Sequence, residues 1–112
     1  MLPKERRISK GLFDQIQKNG RNFRTPLFSL RIMTNPGQPS AFAFVISAKK
    51  ADKAVTRNLI KRRGRAIIAK NLAKIKEGYL CAIFFNQDVS TLSFIELEKK
   101  ILDGLNEAHL LQ

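Results

Sequence analysis

Acidic residues are scarce in this chain of 112 residues: nine Asp and Glu stand against 21 Lys and Arg, a formal net charge of +12. A nuclease that holds its own catalytic metal needs clustered carboxylates. Asp14, Asp52, Glu77 and Asp88 are instead scattered singly along the chain. Glu96, Asp103 and Glu107 share one face of an expected last helix, but opposite its apolar stripe, so they read as a solvated face rather than a metal site. There is one cysteine and one histidine. Cys81 sits in the run LCAIFF and reads as a small buried hydrophobe, not a nucleophile or ligand. His109, beside Leu110 and Leu111, has no partner motif. A helix-terminal role is preferred there over acid–base work in a standalone hydrolase. No catalytic residue and no metal ligand is therefore assigned to the protein.

Long hydrophobic runs are missing as well. The longest, Ala41–Ala48 apart from Ser47 and Leu80–Phe85, are strand length and far short of the ~20 residues that cross a bilayer. No membrane span is expected. The first ten residues, MLPKERRISK, are charged and lack an apolar signal region, so a cytoplasmic location is expected. Hydrophobic residues make up 44% of the chain, an ordinary globular share, and the length suits a single domain over residues 1–112.

What is abundant is positive charge in one place. Residues 49–70 hold nine Lys or Arg against one acid, Asp52, and so carry +8 of the total. Residues 1–31 contribute +6 and residues 71–112 contribute −2. A charge stripe on one element of a small domain is what neutralising a phosphate backbone requires. A solvated helix normally mixes both signs to gain pairs one turn apart, yet no acid lies between Asp52 and Glu77. RNA or DNA is the partner class this pattern points to.

The element order follows from periodicity and turn chemistry. Ser9 to Lys18 predicts a short helix capped by Ser9, with Leu12, Phe13 and Ile16 on one face and Gly20 closing it. Asn22 to Thr34 predicts a short strand, an interruption at Thr25-Pro26, and a longer strand with Phe28, Leu30 and Ile32 on one side. Asn35 to Ser40 is a turn. The strand from Ala41 to Ala48 is apolar on both sides of its pleat, so both must be covered. A helix from about Lys53 to Ile75 connects it to a strand over Tyr79–Phe85, a β-α-β unit whose strands could be parallel. Leu92 to Leu97 combines a capping box, Ser93 with Glu96, and a hydrophobic staple, Leu92 with Leu97. The last helix then buries Phe94, Leu97, Ile101, Leu105 and Ala108.

On the basic helix, Ile60, Gly64, Ile67, Ile68, Asn71 and Ile75 form one continuous stripe at about 100° per residue. Gly64 within that stripe predicts a close approach to the sheet, because glycine costs roughly 1 kcal/mol of helix propensity. Asn58, Arg62 and Arg65 lie opposite, Lys61 is on the flank, and Arg57 is in the first turn. Leu59, on the side of Asn58 and Arg62, is expected to be substantially exposed.

Lys49-Lys50, Ala54-Val55, Arg57-Asn58-Leu59-Ile60-Lys61-Arg62 and Arg65-Ala66 together resemble the signature of the bacterial ribonuclease P protein component. The order of surrounding elements matches over nearly the whole chain. The resemblance implies an α+β fold, an α/β two-layer sandwich with about four strands in a mixed sheet and three helices. It further implies a left-handed β-α-β crossover, against the hand seen in about 98% of cases. It implies the protein subunit of a ribonucleoprotein endonuclease that removes the 5′ leader of precursor tRNA, with Mg2+ at the active site of the RNA subunit. The implied partners are ribonuclease P RNA and the leader, with neither membrane nor DNA. Lys49, Lys50, Lys53, Arg57, Asn58, Lys61, Arg62 and Arg65 are the implied RNA-binding residues.

A leader strand would stack bases on aromatic faces beside cations. Phe13 matches the family's leader-contacting aromatic, with core packing left open as the alternative. Phe28 is a weaker leader-cleft candidate for which core packing is preferred, and Arg57 completes the set. Leu59 stands where the family has a second arginine, and Gln17 where many members carry a second aromatic. Phe44 and Ile46 occupy strand positions often small or polar in the family, so either the strand faces differ or the cleft is more apolar. The alternative function is a general RNA-binding or ribosome-associated protein without a catalytic RNA.

Overall fold

The computed structural model describes residues 2–112. Ser9 caps helix α1 (Lys10–Asn19), its Oγ accepting from the Leu12 N–H at 3.3 Å. A hairpin follows, β1 (Arg21–Arg24) and β2 (Phe28–Thr34). At its tip the Thr25 hydroxyl donates to the Phe28 carbonyl and accepts from the Phe28 N–H, so Pro26 costs the ladder nothing. Pro36 and Gly37 form the next turn, with Gly37 at φ +78°, where only glycine is unstrained. β3 (Ala41–Ile46), α2 (Ala54–Lys70), β4 (Tyr79–Phe85) and α3 (Phe94–Glu107) complete the chain.

The four strands lie in the order β1-β2-β4-β3. β1 with β2 and β2 with β4 are antiparallel, whereas β3 and β4, joined through α2, are parallel. The expected mixed sheet and β-α-β unit are thus present. The free edge of β3 is partly covered by the N-terminal segment, where Arg7 bridges to Phe42 and the Ile8 N–H donates to the Phe42 carbonyl at 3.3 Å.

Period-two alternation sorts the sheet's side chains into two clusters. Phe28, Leu30, Ile32, Phe42, Phe44, Ile46, Cys81, Ile83 and Phe85 join Ile60, Ile67 and Ile68 of α2 and Leu97, Ile101 and Leu105 of α3 in the main core. On the other face Ala41, Leu80 and Ala82 meet Ile16 of α1, with Phe13, Ala43 and Phe84 at the margin. Cys81 is wholly buried and desolvation pushes its thiol pKa up to about 12, consistent with a packing role. Gly64 lies against the ring of Phe44: an added Cβ would sit 2.6 Å from it. The capping box of α3 forms in both directions, Ser93 with Glu96. α3 ends in a reverse turn in which His109 adopts φ +63°, its N–H donating to Asn106 and that of Leu110 to Leu105.

Several expectations need correction. α2 stops at Lys70 rather than near Ile75, because Asn71 leaves helical geometry and turns its buried amide back to the Ile67 carbonyl (2.7 Å) and across to Glu98 (2.9 Å). A short 3₁₀ turn, Leu72–Lys74, then delivers Ile75 to the core. β3 ends at Ile46, so Lys49 and Lys50 sit in a turn held by the Ser47 carbonyl. Phe44 and Ile46 face α2. The small residues Ala41 and Ala43 take the α1 side, so the strand faces differ and the cleft is not made more apolar by those two residues.

Candidate nucleic-acid interface

α2 presents a continuous outer row of exposed residues, Val55, Asn58, Arg62 and Arg65, at i, i+3, i+7 and i+10. Asn58, Arg62, Arg65 and Ala66 border a groove of about 450 Å³. Lys49, Lys50 and Lys53 are exposed just before the helix, and Lys61 is half-buried on its flank. Among the described residues the ion pairs are Arg6–Glu77, Lys70–Glu98 and Lys99–Asp103, so no carboxylate neutralises this row. The sequence placed Asn58, Arg62 and Arg65 on the outer face, and the structure puts them there.

Two arginines of the same helix point elsewhere. Arg57 donates from one nitrogen to the carbonyls of Ala51 (2.9 Å) and Asp52 (3.0 Å), locking the loop that enters α2 while leaving part of its guanidinium free. Arg63 turns inward to the carbonyls of Leu92 (3.0 Å) and Ser90 (3.4 Å) and ties α2 to the 3₁₀ turn at Val89–Thr91. Leu59, one turn before Arg63, is half-buried, not substantially exposed. The helix leans on that 3₁₀ turn, which narrows the solvent-facing arc.

A second concave surface lies between α1 and the sheet. Phe13 meets Phe84 at 5.9 Å between ring centroids with the planes tilted by 40°. Beside them a groove of about 420 Å³ is lined by Gln17, Asn22, Arg24, Ser29, Arg31 and Phe84. Arg31 donates to the Gln17 carbonyl at 2.5 Å and the Ile16 carbonyl at 3.4 Å, at the negative end of α1. Its Nε is buried and has no partner. The combination of an aromatic floor, two guanidiniums and amide side chains at the rim suits a single strand of nucleic acid.

Phe13, which is partly buried and packs on Phe84 but does not itself line the groove, is therefore beside the cleft. Phe28 is not: it is 1% exposed, in the core on the opposite face, edge-on to Phe85 and against Gly104. Contrary to expectation it cannot meet a leader strand there, and Arg57 does not line the groove either. Sequence reasoning missed Arg24, Arg31 and Phe84. The signal was available, since a strand that turns Phe28, Leu30 and Ile32 inward must turn Ser29 and Arg31 outward.

Five of the nine carboxylates are engaged elsewhere, Asp88 with the Ser90 N–H among them. Glu77 pairs with Arg6 at 2.5 and 2.9 Å and accepts from the Ser40 N–H; Arg6, foremost, holds its pKa below the usual carboxylate range. Glu96 caps α3, Glu98 is held by Asn71 and Lys70, and Asp103 by Lys99. These residues do not fit a protein-held metal site, and among the described residues no group of three or more potential ligands comes together.

Comparison with known proteins shows the family and the fold. The sequence pattern of the family described as Ribonuclease P matches residues 2–109. The ribonuclease P protein component of a Picosynechococcus species is 32% identical over 105 residues, covering 90% of each chain. That of a Streptococcus pneumoniae strain is 34% identical over 101 residues, 89% of this chain and 80% of the relative. In fold, the chain is similar to a Staphylococcus aureus RNase P protein mutant with defective mRNA degradation activity, with TM-score 0.84, 22% identity, and 96% and 91% of the two chains covered. The Thermotoga maritima RNase P protein gives 0.78 and 24%, covering 87% and 92%. With its family pattern matched almost end to end and relatives above 30% identity over nine-tenths of its length, this chain belongs to the ribonuclease P protein family, the protein subunit of that endoribonuclease.

Proposed function

We propose that this chain binds ribonuclease P RNA through the outer row of α2 and holds the 5′ leader of precursor tRNA in the groove between α1 and the sheet. The observation that carries the reading is the row of Asn58, Arg62 and Arg65, flanked by Lys49, Lys50, Lys53 and Lys61 and free of any paired acid. Arginine forks suit phosphate oxygens, and an unneutralised row gains from every counterion it displaces. In the cleft, Phe13 and Phe84 supply stacking surface, while Arg24 and Arg31 supply charge close to that surface. Mg2+ belongs to the RNA in this reading, and no step is assigned to a protein carboxylate.

The test is reconstitution. Purified chain mixed with ribonuclease P RNA at low Mg2+ should stimulate 5′ cleavage of precursor tRNA, whereas a general RNA binder would give none. Replacing Arg62 and Arg65 with Ala should flatten the slope of log affinity against log salt by roughly 0.7–0.9 per lost contact. An unchanged slope would make the row a merely solvated helix face.

A further inference from the structure

A third groove, of about 210 Å³, lies where the N-terminal segment crosses the edge of β3, and it is lined by Arg7, Ile8, Phe42, Ala43, Phe44 and Arg65. It sits between the two surfaces already described. Arg65 belongs to the outer row of α2, while Ile8 and Ala43 pack at the margin of the α1-side cluster. Both arginines are exposed, and no carboxylate pairs with either among the described residues. Arg7 is not free to swing away, because its Nε donates to the Leu2 carbonyl at 3.0 Å and Leu2 is wholly buried in the main core. That bond leaves its two terminal nitrogens available. Two guanidiniums facing one small groove repel each other unless an anion lies between them. The apolar floor disfavours a free, fully hydrated ion and favours a phosphate carried on a sugar.

We propose that this groove takes one phosphodiester of single-stranded RNA between Arg7 and Arg65. The N-terminal segment then serves as an RNA contact, joining the α2 row to the cleft over the edge of β3. The proposal rests on the RNA-binding reading above and adds to it a residue outside the basic helix.

Arg7→Gln and Arg7→Lys in the full-length chain test it, with Arg62→Gln as a control. Neither Arg7 variant retains the Nε–H that bonds to Leu2, but Arg7→Lys keeps the charge. Arg7→Gln should weaken binding to ribonuclease P RNA about four- to sixfold near 0.15 M salt and lower the salt slope by roughly 0.7–0.9. Arg7→Lys should stay close to the parent protein, and in an Arg65→Gln background the effect of Arg7→Gln should shrink. If binding to the RNA subunit is unchanged but leader-bearing precursor binds the reconstituted holoenzyme more weakly, mature tRNA being unaffected, the phosphodiester belongs to the leader. Equal losses in both Arg7 variants would show that only the seating of Leu2 matters, and loss in neither arm would leave no phosphate there; each overturns the proposal. Failure of Arg62→Gln to change the slope would instead overturn the underlying RNA-binding reading.

Discussion

The ring of Phe44 occupies the space that a side chain on Gly64 would fill, 2.6 Å from the site of the missing Cβ. Phe44 also stacks on Phe85, with centroids 6.4 Å apart and planes 14° from parallel, so moving its ring would disturb a second contact. α2 can lie this close to β3 only because residue 64 has no side chain. Gly64→Ala should therefore destabilise the chain by about 1–3 kcal/mol from overpacking, outweighing the roughly 1 kcal/mol of helix propensity that alanine adds. Urea melts of the variant, alone and with Phe44→Leu, measure this: the second substitution should recover part of the loss. A more stable Gly64→Ala would show that the sheet yields.

Leu59 gives a prediction with two readouts. It is half-buried, one helical turn before the Arg63 that reaches the Ser90 and Leu92 carbonyls, yet it is not one of the partly buried residues packed on the main core. The aliphatic stem of an arginine can cover the same surface while its head reaches solvent. Leu59→Arg should cost no more than about 1 kcal/mol in thermal melts and should steepen the salt dependence of RNA binding by about one contact. A loss of several kcal/mol would mean that the guanidinium cannot escape burial.

Phe84 and Phe28 separate the two faces of the sheet. Phe84→Ala should weaken binding of leader-bearing precursor by about 1–3 kcal/mol if a base stacks there, and leave mature tRNA binding nearly unchanged. Phe28→Ala should instead cost about 3–5 kcal/mol of stability, with both ligands affected only through unfolding. Reversed outcomes would place the leader on the α2 side.

The pair Arg6–Glu77 predicts a response to acid. The Glu77 pKa is lowered in the folded chain, mainly by the Arg6 hydrogen bond and then by the Ser40 N–H. A group depressed in the folded state contributes stability above its unfolded pKa and loses it as pH falls through the folded value. Melting temperatures of the parent chain and Glu77→Gln should therefore differ at neutral pH and converge below pH of about 4. A gap that persists at low pH would assign the effect to shape rather than charge.

The sequence made the element order, the capping box, the outer row of α2 and the glycine contact legible, because each rests on local periodicity or on one residue's chemistry. What it hid were relationships across the sheet. Whether Phe28 or Phe84 floors the cleft depends on which face α1 covers, and no period within a strand states that. Arg63 reads as one more cation until the Ser90 and Leu92 carbonyls are placed beside it. The end of α2 is not legible either, because the apolar stripe continues to Ile75 through a 3₁₀ turn and periodicity does not register Asn71 leaving the helix.

The strand order also constrains how the chain can fold during synthesis. β2 and β3 do not pair with each other; each pairs with β4, which follows both in the chain and lies between them. A growing polypeptide that has not yet produced Tyr79–Phe85 holds a hairpin, an unpaired apolar strand and a cationic helix lacking its support. Non-local pairing of this kind folds slowly and leaves strand edges open meanwhile. Translational pausing before residue 79 should accordingly favour aggregation, while pausing after residue 85 should do so far less.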